Sequence, residues 1–319
     1  MRKSLLALLI GLGGAAAHAQ NYPSAPVRIL VAFSAGSQTD VLARLVAPQL
    51  SAAWRQPVIV ENRPGGAGAV AGSALVQAPP DGHTLMMYSD GHAVNAALNF
   101  ATLPYDTLRD IARVSQVATM PSILVAAPAL RVQSVNDLIR TAKSRPGALS
   151  FGSAGIGGGL HFAGEFFKIA TGVQALHVPF KGTQEALAET VAGRIDYMFS
   201  TPGLALPLIR SGKVVALAVG SAERLSLLPQ IPTMREAGVA GFDYDLWLGL
   251  FAPARTPQRV VEQIAAEISR IVDQPQVKAQ LDAQGFVHKH NTPAEFDRLV
   301  HAQVEQLRQL VTTAGIKLE

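Results

Sequence analysis

Four times along the chain, an apolar run leads into a short turn rich in Gly, Ser and Thr and then into a helical pattern. The clearest turns are residues 33–40, after the run 27–32, and residues 152–159, after the run 149–151. Each predicts a buried strand, a loop and a helix start. The unpaired N–H groups of a helix start carry about half an elementary positive charge, so such a loop can bind an anion without a charged side chain. Two copies far apart in the chain indicate two halves that bind one small anion.

Strand and helix patterns alternate along almost the whole chain, which predicts an α/β fold with mostly parallel sheets. Strands expected at residues 114–117 and 122–126 mark a crossing into a second half, and residues 242–252 mark the return. Because no Ser- or Pro-rich linker separates the halves, we expect the crossings to serve as a hinge. The predicted domains are residues 20–121 with 249–319, and residues 122–248.

Local signals set several helix boundaries. Thr292 and Glu295 have the spacing of a capping box, and Thr256 before Pro257 predicts an N-cap with proline as the first helical residue. Pro48 predicts a kink or an early end within the helix expected at residues 40–54.

The N-terminus reads as a secretory signal peptide, with Arg2 and Lys3 before an apolar run and a small-residue site ending at Ala19. The run is shorter than the roughly 20 residues that span a bilayer, which disfavours the alternative of a membrane anchor.

Removing Arg2 and Lys3 takes the 27 basic residues to 25 against 23 acidic ones. So small an excess, without a basic stripe, predicts no nucleic-acid partner. With no cysteine, disulfides, thiolate metal sites and thiol catalysis are excluded. We expect a soluble, exported protein without a cofactor.

Other motifs have ordinary explanations. Residues 66–71 satisfy the Gly-x-Gly-x-x-Gly/Ala pattern, but away from the first strand they indicate tight helix–sheet packing rather than nucleotide binding. His288 and His290 lack a nearby carboxylate or third histidine, so a metal site is not expected. Ser153 and His161 lack a Gly-x-Ser-x-Gly elbow, and no nucleophile–base pair is apparent. For residues 33–40, the alternative to anion binding is an ordinary connection with Thr39 or Asp40 as N-cap.

Sequence blocks in a fixed order along the mature chain resemble the periplasmic solute-binding proteins of tripartite tricarboxylate transporters, also called Bug-type receptors. The blocks are PVRILVAFSAGSQTD from Pro26, VENRPG from Val60, APPDG from Ala78, LPYD from Leu103, FGSAG from Phe151, HFAGE from His161, HVPFKG from His177, ALAV from Ala216, PT from Pro232 and EAG from Glu236. The resemblance implies a two-domain clamshell of the type II periplasmic class that closes on a ligand carboxylate through loop backbone groups.

The same resemblance implies which residues bind the ligand. In the first domain they are Phe33, Ser34, Ala35, Gly36, Ser37, Gln38, Thr39 and Asp40, with Ser89, Asp90 and His92. In the second domain they are Ser153, Ala154, Gly155, Gly158, Gly159 and His161, with Lys181, Gly182, Thr183, Ser200, Thr201 and Pro202.

Three positions depart from the family pattern. The family usually has glycines at Ser37 and Gln38 and a small neutral residue at Asp90. An exposed Asp90 carboxylate would suit a ligand that carries an amine. We expect a monomeric periplasmic receptor that presents a small carboxylate to integral-membrane transporter subunits. The alternatives are an exported sensory receptor, or a hydrolase or isomerase on a similar frame.

Overall fold

The computed structural model describes residues 22–98, 103–240, 242, 244 and 246–314. The predicted signal peptide, residues 1–19, lies outside the described residues. Within them the strands are β1 (Val27–Val31), β2 (Val58–Asn62), β3 (Thr84–Ser89), β4 (Ile111–Met120), β5 (Ile123–Ala126), β6 (Leu149–Ser153), β7 (Ala175–Pro179), β8 (Tyr197–Ser200), β9 (Val215–Val219), β10 (Leu246–Pro253) and β11 (Val287–His288). The α-helices are α1 (Gln38–Trp54), α2 (Ala69–Val76), α3 (Gly91–Ala97), α4 (Val135–Ser144), α5 (Gly159–Thr171), α6 (Thr183–Val191), α7 (Pro202–Arg210), α8 (Gln258–Val272), α9 (Pro275–Ala283) and α10 (Pro293–Ala314).

The strands form two sheets, and we call the parts of the molecule built on them lobe 1 and lobe 2. The lobe 1 sheet has the order β11-β4-β10-β3-β1-β2, and the lobe 2 sheet has the order β7-β6-β8-β5-β9. The predicted α/β class is confirmed. Both sheets are mixed: β1 runs parallel to β2 and β3, and β6 runs parallel to β7 and β8, whereas the crossing strands pair antiparallel.

The first strand shows why the sequence folds this way. All residues of β1 except Arg28 are buried, as expected for a strand covered on both faces. On one side α1 packs against β1 and β2 and buries Leu42, Val46 and Leu50. The helix continues through Pro48, so of the two predicted alternatives, a kink or an early end, the early end is wrong. Packing of the residues on either side offsets the one hydrogen bond that proline removes.

The capping box at the start of α10 is confirmed. The Thr292 N–H donates to Glu295 Oε2 at 2.8 Å, and the Glu295 N–H donates to Thr292 Oγ1 at 3.3 Å. The predicted start of α8 is wrong by one residue. Pro257 has an extended ψ of 133° and is itself the N-cap, so the helix begins at Gln258.

Two crossings join the lobes. The chain passes from β4 into β5 through residues 121 and 122, and it returns from β9 to β10. Leu246 pairs with Met120 of β4, so β10 belongs to the lobe 1 sheet from its first residue. We propose that the return boundary lies at Leu246, slightly earlier than the sequence analysis placed it. None of the helices in the described ranges is long and apolar enough to span a membrane.

The parallel strands set the position of the candidate site. The loops that follow β1, β3, β6 and β8 each lead directly into a helix, namely α1, α3, α5 and α7. In open α/β sheets the crevice outside the carboxyl ends of such strands is the usual ligand site. The loops singled out from the sequence are therefore at the expected edge of each sheet.

Candidate functional site

The loop between β1 and α1 is the first predicted anion-binding loop. Ser37 caps the helix, since its Oγ accepts a hydrogen bond from the Asp40 N–H at 3.3 Å. The alternative of a cap at Thr39 or Asp40 is wrong, because α1 begins at Gln38 and both residues lie in its first turn. The N–H groups of Gln38 and Thr39 make no hydrogen bond within the described part of the chain. Two unpaired donors therefore stand at the start of α1.

The Asp40 side chain holds this loop in place. Its carboxylate is buried and accepts hydrogen bonds from the Gly36 N–H at 2.9 Å, Asn62 Nδ2 at 2.8 Å and Arg44 Nε at 3.0 Å. Burial by itself raises the pKa of Asp40, but the hydrogen bonds from Arg44, Gly36 and Asn62 outweigh it and lower the pKa below its ordinary value. Asp40 is thus a charged residue that stabilises the loop, and Arg44 compensates its charge.

The second anion-binding loop joins β6 to α5. Gly155 and Gly157 have φ angles of +120° and +81°, which only glycine adopts readily. The Gly157 N–H donates to Nδ1 of His161 at 3.2 Å. The N–H groups of Gly159 and Leu160, the first two residues of α5, have no partner among the described residues. The loop therefore presents a second pair of unpaired donors.

A serine–histidine pair lies beneath this loop, and the sequence analysis missed it. Ser153 Oγ is 2.6 Å from His177 Nε2. Only the β6–β7 register, which places Phe151 beside His177, brings the two together, so no spacing in the sequence reveals the pair. Ser153 is fully buried and its Oγ also bonds the Gly155 backbone. Burial, and then Lys168, lower the pKa of His177 to about 4. The pair therefore stabilises the loop, and the Ser153 hydroxyl is buried beneath it.

The Asp90 carboxylate is buried, and the expectation that it would be exposed is wrong. Its Oδ2 accepts a hydrogen bond from the Tyr244 hydroxyl at 3.0 Å. Burial raises the pKa of Asp90 to about 6, against the lowering effect of hydrogen bonds from Tyr244 and Ser89. The expectation failed because the covering residue, Tyr244, comes from the distant return crossing.

The loops of the two lobes meet face to face. A Cβ atom at Gly159, the first residue of α5, would lie 2.5 Å from Asp90 Oδ2. A Cβ atom at Gly203, in the first turn of α7, would lie 3.5 Å from Gln38 Nε2. The start of α3 therefore faces the start of α5, and the start of α1 faces the start of α7.

The loop between β8 and α7 adds two hydroxyl groups. Ser200 Oγ and Thr201 Oγ1 are buried and make no hydrogen bond to any residue that the structure describes. They precede Pro202, the first residue of α7. A buried hydroxyl without a partner costs roughly 1–3 kcal/mol, so each of the two is a candidate to hydrogen-bond a water molecule or a ligand.

His92 lies in the core of lobe 1. Its ring is fully buried, with its centroid 4.4 Å from that of Phe251. Neither ring nitrogen has a hydrogen-bond partner among the described residues. Burial, and then the charge of Arg113, lower the pKa of His92 to about 3. The ring is therefore a neutral core group.

The loop of residues 181–183 lies beside the lobe 2 loop, because the Phe180 N–H donates to the Ser153 carbonyl at 2.9 Å. Lys181 is exposed, and its own N–H donates to Glu185. The predicted residues that are at least partly exposed at the loop ends are Phe33, Ser34, Ala35, Gly36, Ser37, Gln38, Ser89, Ala154, Gly155, Gly158, Gly159, Lys181, Gly182 and Thr183.

A separate cavity of about 1010 Å³ lies between the lobes on the side of α10 and β11. It combines the aromatic rings of Trp247 and Phe286 with a rim that includes Glu223, Arg224 and Lys289. It contains none of the predicted ligand-binding residues, and none of its lining residues begins a helix. This cavity therefore lacks the unpaired helix-start donors that distinguish the loop site.

The remaining motifs are structural. Gly68 lies in close contact with the Tyr88 ring, where a Cβ would come within 2.4 Å, in agreement with tight packing of residues 66–71. His290 Nε2 lies 3.0 Å from Asp273 Oδ2, a contact with a carboxylate that sequence spacing did not reveal. Across the described ranges, no cluster of three or more potential metal ligands is found.

Two mixed sheets joined by crossing strands, with helix starts of one lobe facing those of the other, are the arrangement of the two-lobed solute-binding receptors. Residues 42–316 match the model of the tripartite tricarboxylate transporter family receptor, and the chain belongs to that family. It is 30% identical to protein BugT of Bordetella pertussis over 319 residues, which are 99% of this chain and 98% of BugT. The predicted Bug-type resemblance is thereby confirmed.

Two solved structures extend the comparison. An R. palustris protein solved with adipate has a TM-score of 0.81 and 32% identity, over 93% of this chain and 99% of that one. MatC from Rhodopseudomonas palustris, solved with bound malate, has a TM-score of 0.76 and 32% identity, over 91% of this chain and all of that one. The likeness covers both lobes, so the receptor fold is shared throughout.

Proposed function

We propose that this receptor binds a small carboxylate between its lobes and presents it to the integral-membrane subunits of a transporter. The observation that carries the proposal is the approach of lobe 1 loops to the starts of α5 and α7, as at Asp90 and Gly159. Relatives of the same family solved with adipate and malate support a carboxylate as the ligand.

Peptide N–H groups supply the attraction in this proposal. An anion at a helix start gains roughly 0.3–1 kcal/mol per contact when exposed and up to about 2 kcal/mol when partly buried. Counted once for each helix start, α1 and α5 together reach at most about 4 kcal/mol, close to a millimolar Kd before the cost of association. One lobe alone supplies half of this, so tight binding requires closure. The ligand thereby favours the closed form, which the transporter recognises.

Asp90 narrows the ligand class. Its carboxyl stands beside the first residue of α5, so a second unprotonated carboxylate there would be repelled. An acid that also carries an amine would compensate this charge, whereas a plain dicarboxylate would bind with its negative charge displaced toward α1. Acids with and without an amine are therefore both to be tested.

The same proposal includes the export of the protein and its oligomeric state. Residues 1–19 direct export and are cleaved after Ala19, and the mature receptor acts as a monomer without a cofactor. We also propose that it performs no chemistry, because the Ser153 hydroxyl near the site is buried and is bonded to His177 and to the loop backbone.

A combined binding and turnover experiment tests this proposal. Purified mature protein is screened by thermal shift against mono-, di- and tricarboxylates, amino acids and aromatic acids, and each hit is measured by calorimetry. The same mixtures are analysed for product by mass spectrometry. We expect a melting shift with at least one acid and no product. Turnover of any acid would favour the hydrolase or isomerase alternative.

A further inference from the structure

The two anion-binding loops share one arrangement that their sequences conceal. In lobe 1 the N–H of Gly36, the residue before the N-cap, donates to the side chain of Asp40. In lobe 2 the N–H of Gly157, also the residue before the N-cap, donates to the side chain of His161. In each case the acceptor is the third residue of the helix. Asp40 and His161 therefore occupy equivalent positions and perform the same structural task.

The two acceptors differ in charge. Asp40 is anionic, and its charge is offset by Arg44, whose Nε lies 3.0 Å away. His161 accepts through Nδ1, so that nitrogen carries no proton and the ring is neutral. The ring is 2% exposed, and its centroid lies 4.1 Å from that of His177 and 6.3 Å from that of Phe151.

The charged groups around His161 favour this neutral state. Its Nε2 lies 3.8 Å from Glu165 Oε1, but Glu165 is already paired with Lys168 at 2.9 Å. Burial lowers the pKa of His161 to about 3, and His177 and Lys168 contribute in the same direction. The carboxylate that the structure places beside the ring is therefore already paired with a lysine, and the ring keeps its acceptor nitrogen throughout the neutral pH range.

The difference matters because the lobe 2 loop has less tolerance for negative charge. The start of α5 offers about half a positive charge, and Asp90 already lies against Gly159. A carboxylate in place of His161 would lack a partner equivalent to Arg44, because Lys168 is engaged by Glu165. It would cancel the attraction for an incoming anion.

We propose that His161 is a positioning residue, a neutral acceptor that holds the lobe 2 loop in its ligand-binding shape without adding negative charge. This inference rests on the proposed function for its charge argument. It changes the predicted role of His161, which the family resemblance gave as a direct ligand contact.

Three variants separate the acceptor from the charge. His161→Gln keeps a neutral acceptor, His161→Leu removes the acceptor, and His161→Glu keeps an acceptor but adds charge. Gln184→Glu, an exposed change on α6, is the matched control for the added charge. Hydrogen–deuterium exchange of the peptide containing Gly157, measured without ligand, shows whether the Gly157 hydrogen bond is kept. Calorimetry with adipate, malate and the neutral diamide of adipate shows how the added negative charge changes the affinity for anions.

We expect faster exchange at Gly157 in His161→Leu by at least tenfold, and wild-type exchange in His161→Gln. We expect His161→Glu to bind the acids at least tenfold more weakly than Gln184→Glu does, with little change for the diamide. Wild-type exchange in His161→Leu would overturn the positioning role. Unchanged acid affinity in a folded His161→Glu would overturn the charge argument. Wild-type protein that binds neither acid would instead count against the ligands assumed in the proposed function, while the exchange result still decides the positioning role.

Discussion

Replacement of Gly159 by alanine tests whether the lobes close on each other as the structure indicates. Gly159 is the first residue of α5, where alanine is a better helix former than glycine. Its Cβ, however, would lie 2.3 Å from Leu246 Cδ2 and 2.5 Å from Asp90 Oδ2. The leucine tip can rotate away, but the carboxylate is tied to Tyr244, so contact with the other lobe must loosen by about an ångström.

The size of the effect follows from the cost of inserting a methyl group into a packed contact, about 1–3 kcal/mol. That cost falls only on the closed form, so ligand affinity should drop about 5- to 150-fold. The neighbouring Gly158→Ala is the matched control. Gly158 has a φ of −77°, and its Cβ would meet only the Gly155 carbonyl at 3.6 Å.

Calorimetry of both variants with one acid, and their melting curves without ligand, provide the measurement. We expect Gly159→Ala to melt within a few degrees of the wild type and to bind the acid at least fivefold more weakly than Gly158→Ala does. Equal affinity in the two variants would refute the face-to-face arrangement at Gly159.

Three further predictions concern side chains that the structure buries. His92→Leu should stabilise the protein by about 2 kcal/mol more at pH 5 than at pH 8. The reason is that below pH 6.5 the unfolded chain binds a proton at His92, whereas the folded ring, with its pKa near 3, does not. Denaturant titrations at the two pH values measure this difference, and an equal gain in stability at both would count against it. Asp90→Asn should lower the affinity for amine-bearing acids more than the affinity for plain acids in calorimetry. An equal loss for both kinds of acid would show that Asp90 does not select for an amine. Asp40→Asn should lower the free energy of unfolding by about 1–3 kcal/mol at pH 7, since the charged partner of Arg44 is lost. Because the pKa of Asp40 is lowered in the folded protein, the difference in unfolding free energy between Asp40→Asn and the wild type should shrink as the pH falls below 4. Chemical denaturation of both proteins at pH 7 and below pH 4 measures it.

Features that depend on short-range signals could be predicted from the sequence. The apolar run of β1 gave a buried strand, and Thr292 with Glu295 gave the start of α10. The four strand–turn–helix units placed the loops at the carboxyl ends of the parallel strands. The α/β class and the two-lobed receptor fold followed from the alternation of elements and from the family resemblance.

Features that depend on contacts between distant segments could not be predicted. Asp90 was expected to be exposed because nothing near it in sequence shows that Tyr244 covers it. The pair of Ser153 and His177 exists only through the β6–β7 register. The equivalence of Asp40 and His161 was also hidden, since a carboxylate and an imidazole share no sequence signature.

The most direct test of the central claim is a crystal structure of the mature protein with its preferred acid. The claim is that uncharged peptide nitrogens of both lobes bind the ligand carboxylate. We predict carboxylate oxygens within about 2.7–3.2 Å of backbone nitrogens at the starts of both α1 and α5. A carboxylate held by one lobe alone, or by a lysine or arginine side chain in place of those nitrogens, would contradict the account.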